Sequence, residues 1–409
     1  MMEEEEAEES PPLSPSVIEG TEEVTPPLSV SPSSIRVTEA AQDGELLTFI
    51  IVSQKLSGTG EYHVDRTYED FDWLQQHLFS LEDVPGIQGI IFPPLPARAQ
   101  QNAPVKLVRQ LGLLATGETW TPYCRALEAY LQQVAGHSLL SRTQHLETFL
   151  TSPEPPGRQK VKRGLFNRLS QAMEGIRKDG HTKDVDDFFR TEREHNLSLT
   201  GLSRAAAEPV SLNTAPLSLL LFQRFLEVVQ TEQKIAVACG HFAASLQLCV
   251  EAGDDPGQET FSKMCVKISE IMESMKKNVQ KVAENDVTTL GLGLDLECRY
   301  QEAEKEMLFR RTFKLVELET ASRNAERAKP LKKAAMDEIK KAAEKDFDQV
   351  SVVAKQEVAR FQRARVAVLR QALVRWCELQ ILTATGSAEQ WNQQLLAFRG
   401  PARGPEPSS

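Results

Sequence analysis

Between Pro330 and Ile381, the residues Phe347, Val350, Ala354, Val358, Phe361, Val368, Ala372, Trp376 and Leu379 follow one another mostly at steps of three and four, with Arg365 intruding on the row. That spacing gathers apolar side chains on one face of a helix. At 1.5 Å per residue the helix would be roughly 75 Å long, more than a globular core can cover. Only helices of similar length can bury such a stripe, so the sequence predicts a bundle or coiled coil shared between chains. From Val185 to about Phe398 apolar residues recur at helical spacing with charges between them, and no strand alternation interrupts them.

The texture is different before residue 155. Short alternating segments, "IRVTEA", "LLTFIIVSQ" and "EYHVDR", come first, the first two separated by Asp43-Gly44. Asp-Gly between two such runs is a hairpin signal, and a three-strand meander follows from it. The segment "YEDFDWLQQHLF" sets Phe71, Leu74 and Leu78 on one helical face, and Pro122 to Val134 and Arg142 to Leu150 are two further helical runs. Between them "IIFPPLPAR" has the composition of a polyproline II stretch. This half is α+β.

Charge and cysteine usage narrow the function classes. Before Arg36 there is no Lys or Arg, while nine glutamates gather among Ser and Pro, a composition that cannot order itself. They account for most of the net charge of -11. The acidity is therefore a property of the tail. Six cysteines show no metal-ligand spacing, no apolar run approaches the ~20 residues that cross a bilayer, and no secretory signal opens the chain. Phosphate-loop, zinc-protease, nucleophile-elbow and dinucleotide fingerprints are absent, so no catalytic residue, cofactor or metal is expected. Nucleic acid is not expected either, because the basic residues line amphipathic helices without interleaved aromatics.

The order of strand meander, "DRTYEDFDWL", "FPPLPAR", "YCRALEAYLQQVAGHSLL", "KDVDDFF" and "AKQEVARFQRARVAVLRQALVRWCELQI" resembles the sorting nexins that join a PX domain to a C-terminal BAR domain, most of all their retromer-associated subgroup. The resemblance covers about residues 30 to 398. It implies a disordered acidic tail at 1–30, a PX domain at 31–152, a basic linker with an amphipathic helix at 153–182, a BAR domain at 183–398 and a disordered tail at 399–409.

The resemblance also implies a phosphoinositide pocket, altered in this sequence. Tyr68 fits the aromatic that packs on the inositol ring, Arg98 the basic residue after the proline loop, and Arg125 the arginine of the following helix. Thr67 stands where the family places its main phosphate arginine. Arg66, one position earlier, faces the other side of a strand and replaces that guanidinium only if a bulge re-aims it. Loss of a bidentate phosphate contact costs on the order of 2 to 3 kcal/mol. The interval from Pro96 to Arg125 is too short for the helical insertion with which some relatives capture cargo peptides.

Two further membrane contacts are expected. In the linker, Leu165, Phe166, Leu169, Ala172, Met173 and Ile176 fall within an arc of roughly 120°, ringed by Lys160, Lys162, Arg163, Arg168, Arg177 and Lys178. An anionic interface would order such a helix. On the BAR helices, Arg310, Arg311 and Lys314 form one basic group; Arg323, Arg327, Lys329, Lys332, Lys333, Lys340 and Lys341 form another around Pro330, read as the hairpin tip. Each near-surface charge contributes about 1 kcal/mol on anionic lipid.

Two features depart from the family's pattern: Gly201, Pro209 and Pro216 fall where relatives continue a long first helix, and Gly291 with Gly293 is expected to weaken the start of the next. The functional expectation is a cytoplasmic protein peripheral to early endosomes, binding phosphoinositide and anionic membrane as a curved dimer with itself or another nexin. Transmembrane cargo tails and retromer are further candidate partners. The alternative is an adaptor that binds cargo peptides through the PX domain with little direct lipid contact.

Overall fold

The computed structural model describes residues 28–43, 46–81, 84–98, 120–157, 186–199, 217–250 and 256–399. Strands β1 (Arg36–Asp43), β2 (Leu46–Gln54) and β3 (Glu61–Thr67) form an antiparallel sheet in the order β1-β2-β3. Register follows from alternation: Ile51 stands opposite both Val37 and Val64, and all three are buried on one face of the sheet. Helices α1 (Tyr68–Phe79), α2 (Thr121–Gly136) and α3 (Gln144–Thr151) cover that face. There the Phe71 ring meets Tyr130 tilted, with centroids 6.4 Å apart, and Phe149 edge-on, at 5.0 Å.

The C-terminal half is helical throughout its described residues: α4 (Asp187–Leu199), α5 (Leu217–Leu248), α6 (Pro256–Asp286), α7 (Leu292–Arg327) and α8 (Pro330–Arg399). At 1.5 Å per residue α8 is about 105 Å long. It runs beyond the expected end at Ile381. Of its stripe, Val350, Ala354, Val358 and Phe361 are buried within the chain and Ala372, Trp376 and Leu379 are half-buried, whereas Val366, Leu373, Val374 and Ile381, which lie off that row, are exposed.

α6 and α7 form one continuous helix through a single π-helical turn, Val287–Gly291. The two glycines expected to weaken a helix start therefore sit mid-helix, and they serve close packing. A Cβ on Gly293 would lie 2.9 Å from the Ala372 Cβ, and one on Gly291 3.3 Å from the Phe225 ring.

Two helices, α4 and α5, lie where the family is expected to continue a single long one, and the residues between them, with Gly201, Pro209 and Pro216, fall outside the described part. Asn196 donates to the Gln301 carbonyl and the Glu304 carboxylate, while Phe222 packs on Leu294 and Phe225 faces Gly291. Leu199 and Leu217 consequently stand within about one turn of each other along α7. The helical track stops and resumes at nearly the same level.

The α+β domain is seated on the bundle by the loop after α1. Gly89 permits this contact, since a Cβ there would lie 2.4 Å from the Val350 carbonyl oxygen and 2.9 Å from the Ala354 nitrogen. Around it Glu357 of α8 accepts from the Ile91 backbone N–H at 3.3 Å and lies 3.3 Å from the His137 ring. Arg299 of α7 donates to the Pro94 carbonyl at 2.7 Å, and the Tyr300 hydroxyl to Gln133 at 3.0 Å.

Candidate membrane-facing site

Strand parity decides the fate of Arg66. It stands opposite Phe49 in register and two residues from Val64, all on the core face, and it is fully buried. Its guanidinium caps the C-terminal end of α3, donating to the carbonyls of Phe149 at 3.0 Å, Thr148 and Ser152, and also to its own neighbour Asp65 at 2.8 Å. The last carbonyls of a helix have no intrahelical donor, and a cation there satisfies both hydrogen bonding and the helix dipole. Arg66 could join the altered phosphate pocket only through a bulge; β2 and β3 pair without a register shift, and Arg66 is instead a buried staple between β3 and α3.

Thr67 is the N-cap of α1. Its backbone N–H and its hydroxyl both donate to the buried Asp70 carboxylate, at 2.8 and 2.9 Å. Tyr68 follows with its hydroxyl donating to the Pro96 carbonyl at 3.0 Å, and the Arg98 guanidinium lies 5.7 Å from its ring centroid. Burial, then the nearby Asp72, pushes the Tyr68 hydroxyl up to about 12. Arg98 is exposed but forms an ion pair with Glu69. Partial burial alone would raise Glu69, yet its own backbone N–H and Arg98 outweigh it and hold the carboxyl below its usual range. The carboxylate thus stays charged and offsets the arginine beside it.

Arg125 pairs with Glu128 at 2.9 Å and opens onto a cleft between β1 and α2 that Arg36, Glu39 and Trp120 also line. The structure brings together Tyr68 and Arg98. Arg125 borders a different recess, and Arg66 is inside the core.

The first basic group on the long helices is consumed by the fold. Arg310, expected on the membrane face, is buried: it donates to the Gln88 carbonyl at 3.2 Å and to that of Ile90, with its guanidinium 5.0 Å from the Phe92 ring centroid. Burial lowers it to about 10, with Glu306 opposing, so it remains a cation at neutral pH. Arg311 is buried as well, 3.5 Å from the Phe189 centroid and 4.9 Å from that of Phe347, donating to the Ser351 hydroxyl at 3.0 Å. Both expectations fail for one reason: aromatic rings and backbone carbonyls from distant segments close over these positions. Lys314 is held by Asp346 at 2.8 Å and Glu317 at 3.0 Å. Desolvation works against its charge, but the two carboxylates outweigh it and raise its pKa.

The second basic group stays near the surface. α7 ends at Arg327 and α8 begins at Pro330, so the reversal occurs at Ala328 and Lys329. Lys332 is exposed and Lys340 half-buried. Lys333 donates to the Ala325 carbonyl at 2.6 Å and lies 3.6 Å from Asp337, while Lys341 pairs with Glu338 at 3.0 Å. The linker stripe, Leu165, Phe166, Leu169, Met173 and Ile176 with Lys160, Lys162, Arg163 and Arg168, lies outside the described residues.

One surface escaped the sequence reading. Leu221, Val228, Ile235 and Phe242 recur every seven residues along α5, each about half exposed. Phe261 and Met264 of α6 and Val366, Leu373, Val374 and Ile381 of α8 are exposed as well. The heptad spacing was the available signal. Among the described residues, no helix is long and apolar enough to cross a membrane.

The PX domain family matches residues 54–153, and the family described as Vps5 C terminal like matches residues 221–396. Human sorting nexin-6 is 25% identical over 365 residues, 83% of this chain and 84% of that one. Mouse sorting nexin-32 is 25% identical over 406 residues, 90% and 94% of the two chains. The cryo-EM structure of the SNX-BAR Mvp1 tetramer aligns with a TM-score of 0.46 and 16% identity, covering 89% of this chain and 100% of that one. A PX domain seated on long helices of the Vps5 type, in a chain similar along most of its length to sorting nexins, gives this protein the domain order of the PX-BAR sorting nexins.

Proposed function

We propose that the chain is a peripheral protein of early endosomal membranes that binds anionic and phosphoinositide-bearing bilayers as a BAR dimer, with itself or another nexin. In that role it senses or generates curvature during endosome-to-Golgi or recycling transport. The observation that carries the proposal is the heptad row on α5, with further exposed apolar side chains on α6 and the far half of α8, all of which a single chain leaves in water. Burying each such side chain is worth about 1.5 to 3 kcal/mol, so a second helical chain is its natural cover. Paired arms then apply many weak cationic contacts to one bilayer together.

Within this reading the PX pocket contributes little. Thr67 is committed to Asp70, and Glu69 neutralises Arg98. The headgroup therefore meets one aromatic and one compensated cation. Vesicle flotation tests the function, using phosphatidylcholine vesicles with and without one-third phosphatidylserine and a small share of a 3-phosphoinositide. Flotation is expected with phosphatidylserine, with at most a threefold gain from the phosphoinositide. Absence of flotation at every composition, alone or mixed with a second PX-BAR nexin, would defeat the proposal.

The same assay separates the two defects of the pocket. Thr67→Arg alone adds a guanidinium next to Glu69 and should gain about threefold for the 3-phosphoinositide. Thr67→Arg with Glu69→Gln frees both cations and should gain tenfold or more over the unmodified chain, about 1.4 kcal/mol. Equal gains for the two variants would mean that Glu69 does not offset Arg98.

A further inference from the structure

The hairpin tip between α7 and α8 carries an apolar residue with nothing to cover it. Leu331 is 99% exposed, one position after Pro330 and two after the reversal at Lys329. A single exposed leucine on a protein surface ordinarily means little. Three observations set this one apart. First, the apex is held in place: Lys332 N–H donates to the Lys329 carbonyl at 2.9 Å, Ala328 N–H to that of Ala325 at 3.4 Å, and the Lys333 ammonium to that same Ala325 carbonyl at 2.6 Å. Second, its surroundings are cationic: Arg323, Arg327, Lys329, Lys332 and Lys333 fall within residues 323–333, against one acid, Glu326. Arg327, Lys329 and Lys332 are exposed and have no ion-pair partner among the described residues. Third, the nearer neighbours Ala328, Ala334 and Ala335 are small, so no bulk keeps a surface from the apex.

We propose that Leu331 is a membrane-inserting apex, entering the acyl boundary of an anionic bilayer while Arg327, Lys329 and Lys332 hold the lipid phosphates around it. The inference rests on the membrane reading above and deepens it by naming where apolar contact is made. Charge complementarity selects the occupant: an apolar side chain inside a ring of unpaired cations matches an interface whose phosphates lie above its hydrocarbon. Position also matters. Arg310, Arg311 and Lys314 are spent on internal contacts, and Val350, where the PX domain packs, lies about 30 Å along α8 from the apex. The tip therefore meets a bilayer without competition from the domain interface.

The test uses the full chain and vesicles of phosphatidylcholine with one-third phosphatidylserine. Leu331→Ala preserves every charge and, at an exposed position, the fold. Apparent affinity should fall about tenfold, with the salt dependence unchanged, because the apolar transfer is lost and the phosphate contacts are kept. In parallel, Leu331→Cys in a Cys249→Ser, Cys377→Ser background carries a solvatochromic label, whose emission should shift to the blue when anionic vesicles are added. Flotation of the unmodified chain with an unshifted label and an unchanged Leu331→Ala affinity would overturn the inference and leave the membrane reading standing. Failure of the unmodified chain to float would overturn both.

Discussion

A chain carrying Ile235→Glu and Phe242→Glu together should travel in solution at the mass of one 45.6 kDa polypeptide at concentrations where the unmodified protein is paired. It should keep its helix content and its melting profile as a single chain. The asymmetry between those readouts is the point of the experiment. Both side chains are about half exposed within one chain, so glutamate there breaks no internal packing and costs the monomer little. In the proposed dimer the same positions would be covered. Burying an unpaired carboxylate costs several kcal/mol, and two-fold pairing counts each substitution twice. The expected loss of association is at least a thousandfold. Flotation should fall with it, since each lone arm keeps its cations but loses the simultaneity that makes weak contacts add. A variant that remains paired would place the interface elsewhere and remove the main support for the arc.

Much of this architecture is legible in one dimension. The stripe from Phe347 to Phe361 announces a long buried helix, and Asp43-Gly44 announces the hairpin whose strands pair from Asp43↔Leu46 onward. Parity alone separates Arg66 from Thr67: Val64 points inward, Asp65 outward and Arg66 inward again, where it caps α3. The cap itself is not legible, because its acceptors lie more than eighty residues away. Arg310 and Arg311 fail for the same reason. A basic residue on a helix reads as solvated unless one knows that Phe92, Phe189 and the carbonyls of Gln88 and Ile90 come to meet it. Periodicity identifies a stripe but not the chain that covers it. Val366 and Ile381 are apolar positions of α8 off that row, and they stay in water.

Arg310→Met should loosen the PX domain from the bundle and lower the melting temperature by several degrees, with little direct effect on vesicle contact. The buried guanidinium ties two carbonyls of the loop after α1 to α7 and lies over Phe92. Each hydrogen bond from a charged donor is worth about 1.5 to 3 kcal/mol. Methionine recovers the desolvation cost of the cation and fills most of its volume, so the net loss should be about 2 to 4 kcal/mol. Hydrogen exchange localises the effect: the Ile91 amide, which donates to Glu357, should lose protection, while the amides of β2 and β3 should keep theirs. Arg310→Lys should not rescue, because an ammonium cannot span both carbonyls with the geometry of a guanidinium fork. If Arg310 instead touched lipid, the opposite pattern would appear, with unchanged melting and weaker flotation, as expected for Lys332→Glu at the exposed tip. The distinction bears on function. A PX domain fixed to the arm by Arg310, Arg299 and Glu357 moves with it as one body, so under the proposed function a headgroup contact at Tyr68 and Arg98 would be presented at a set distance from the tip. A loosened domain would keep both contacts and lose their spacing.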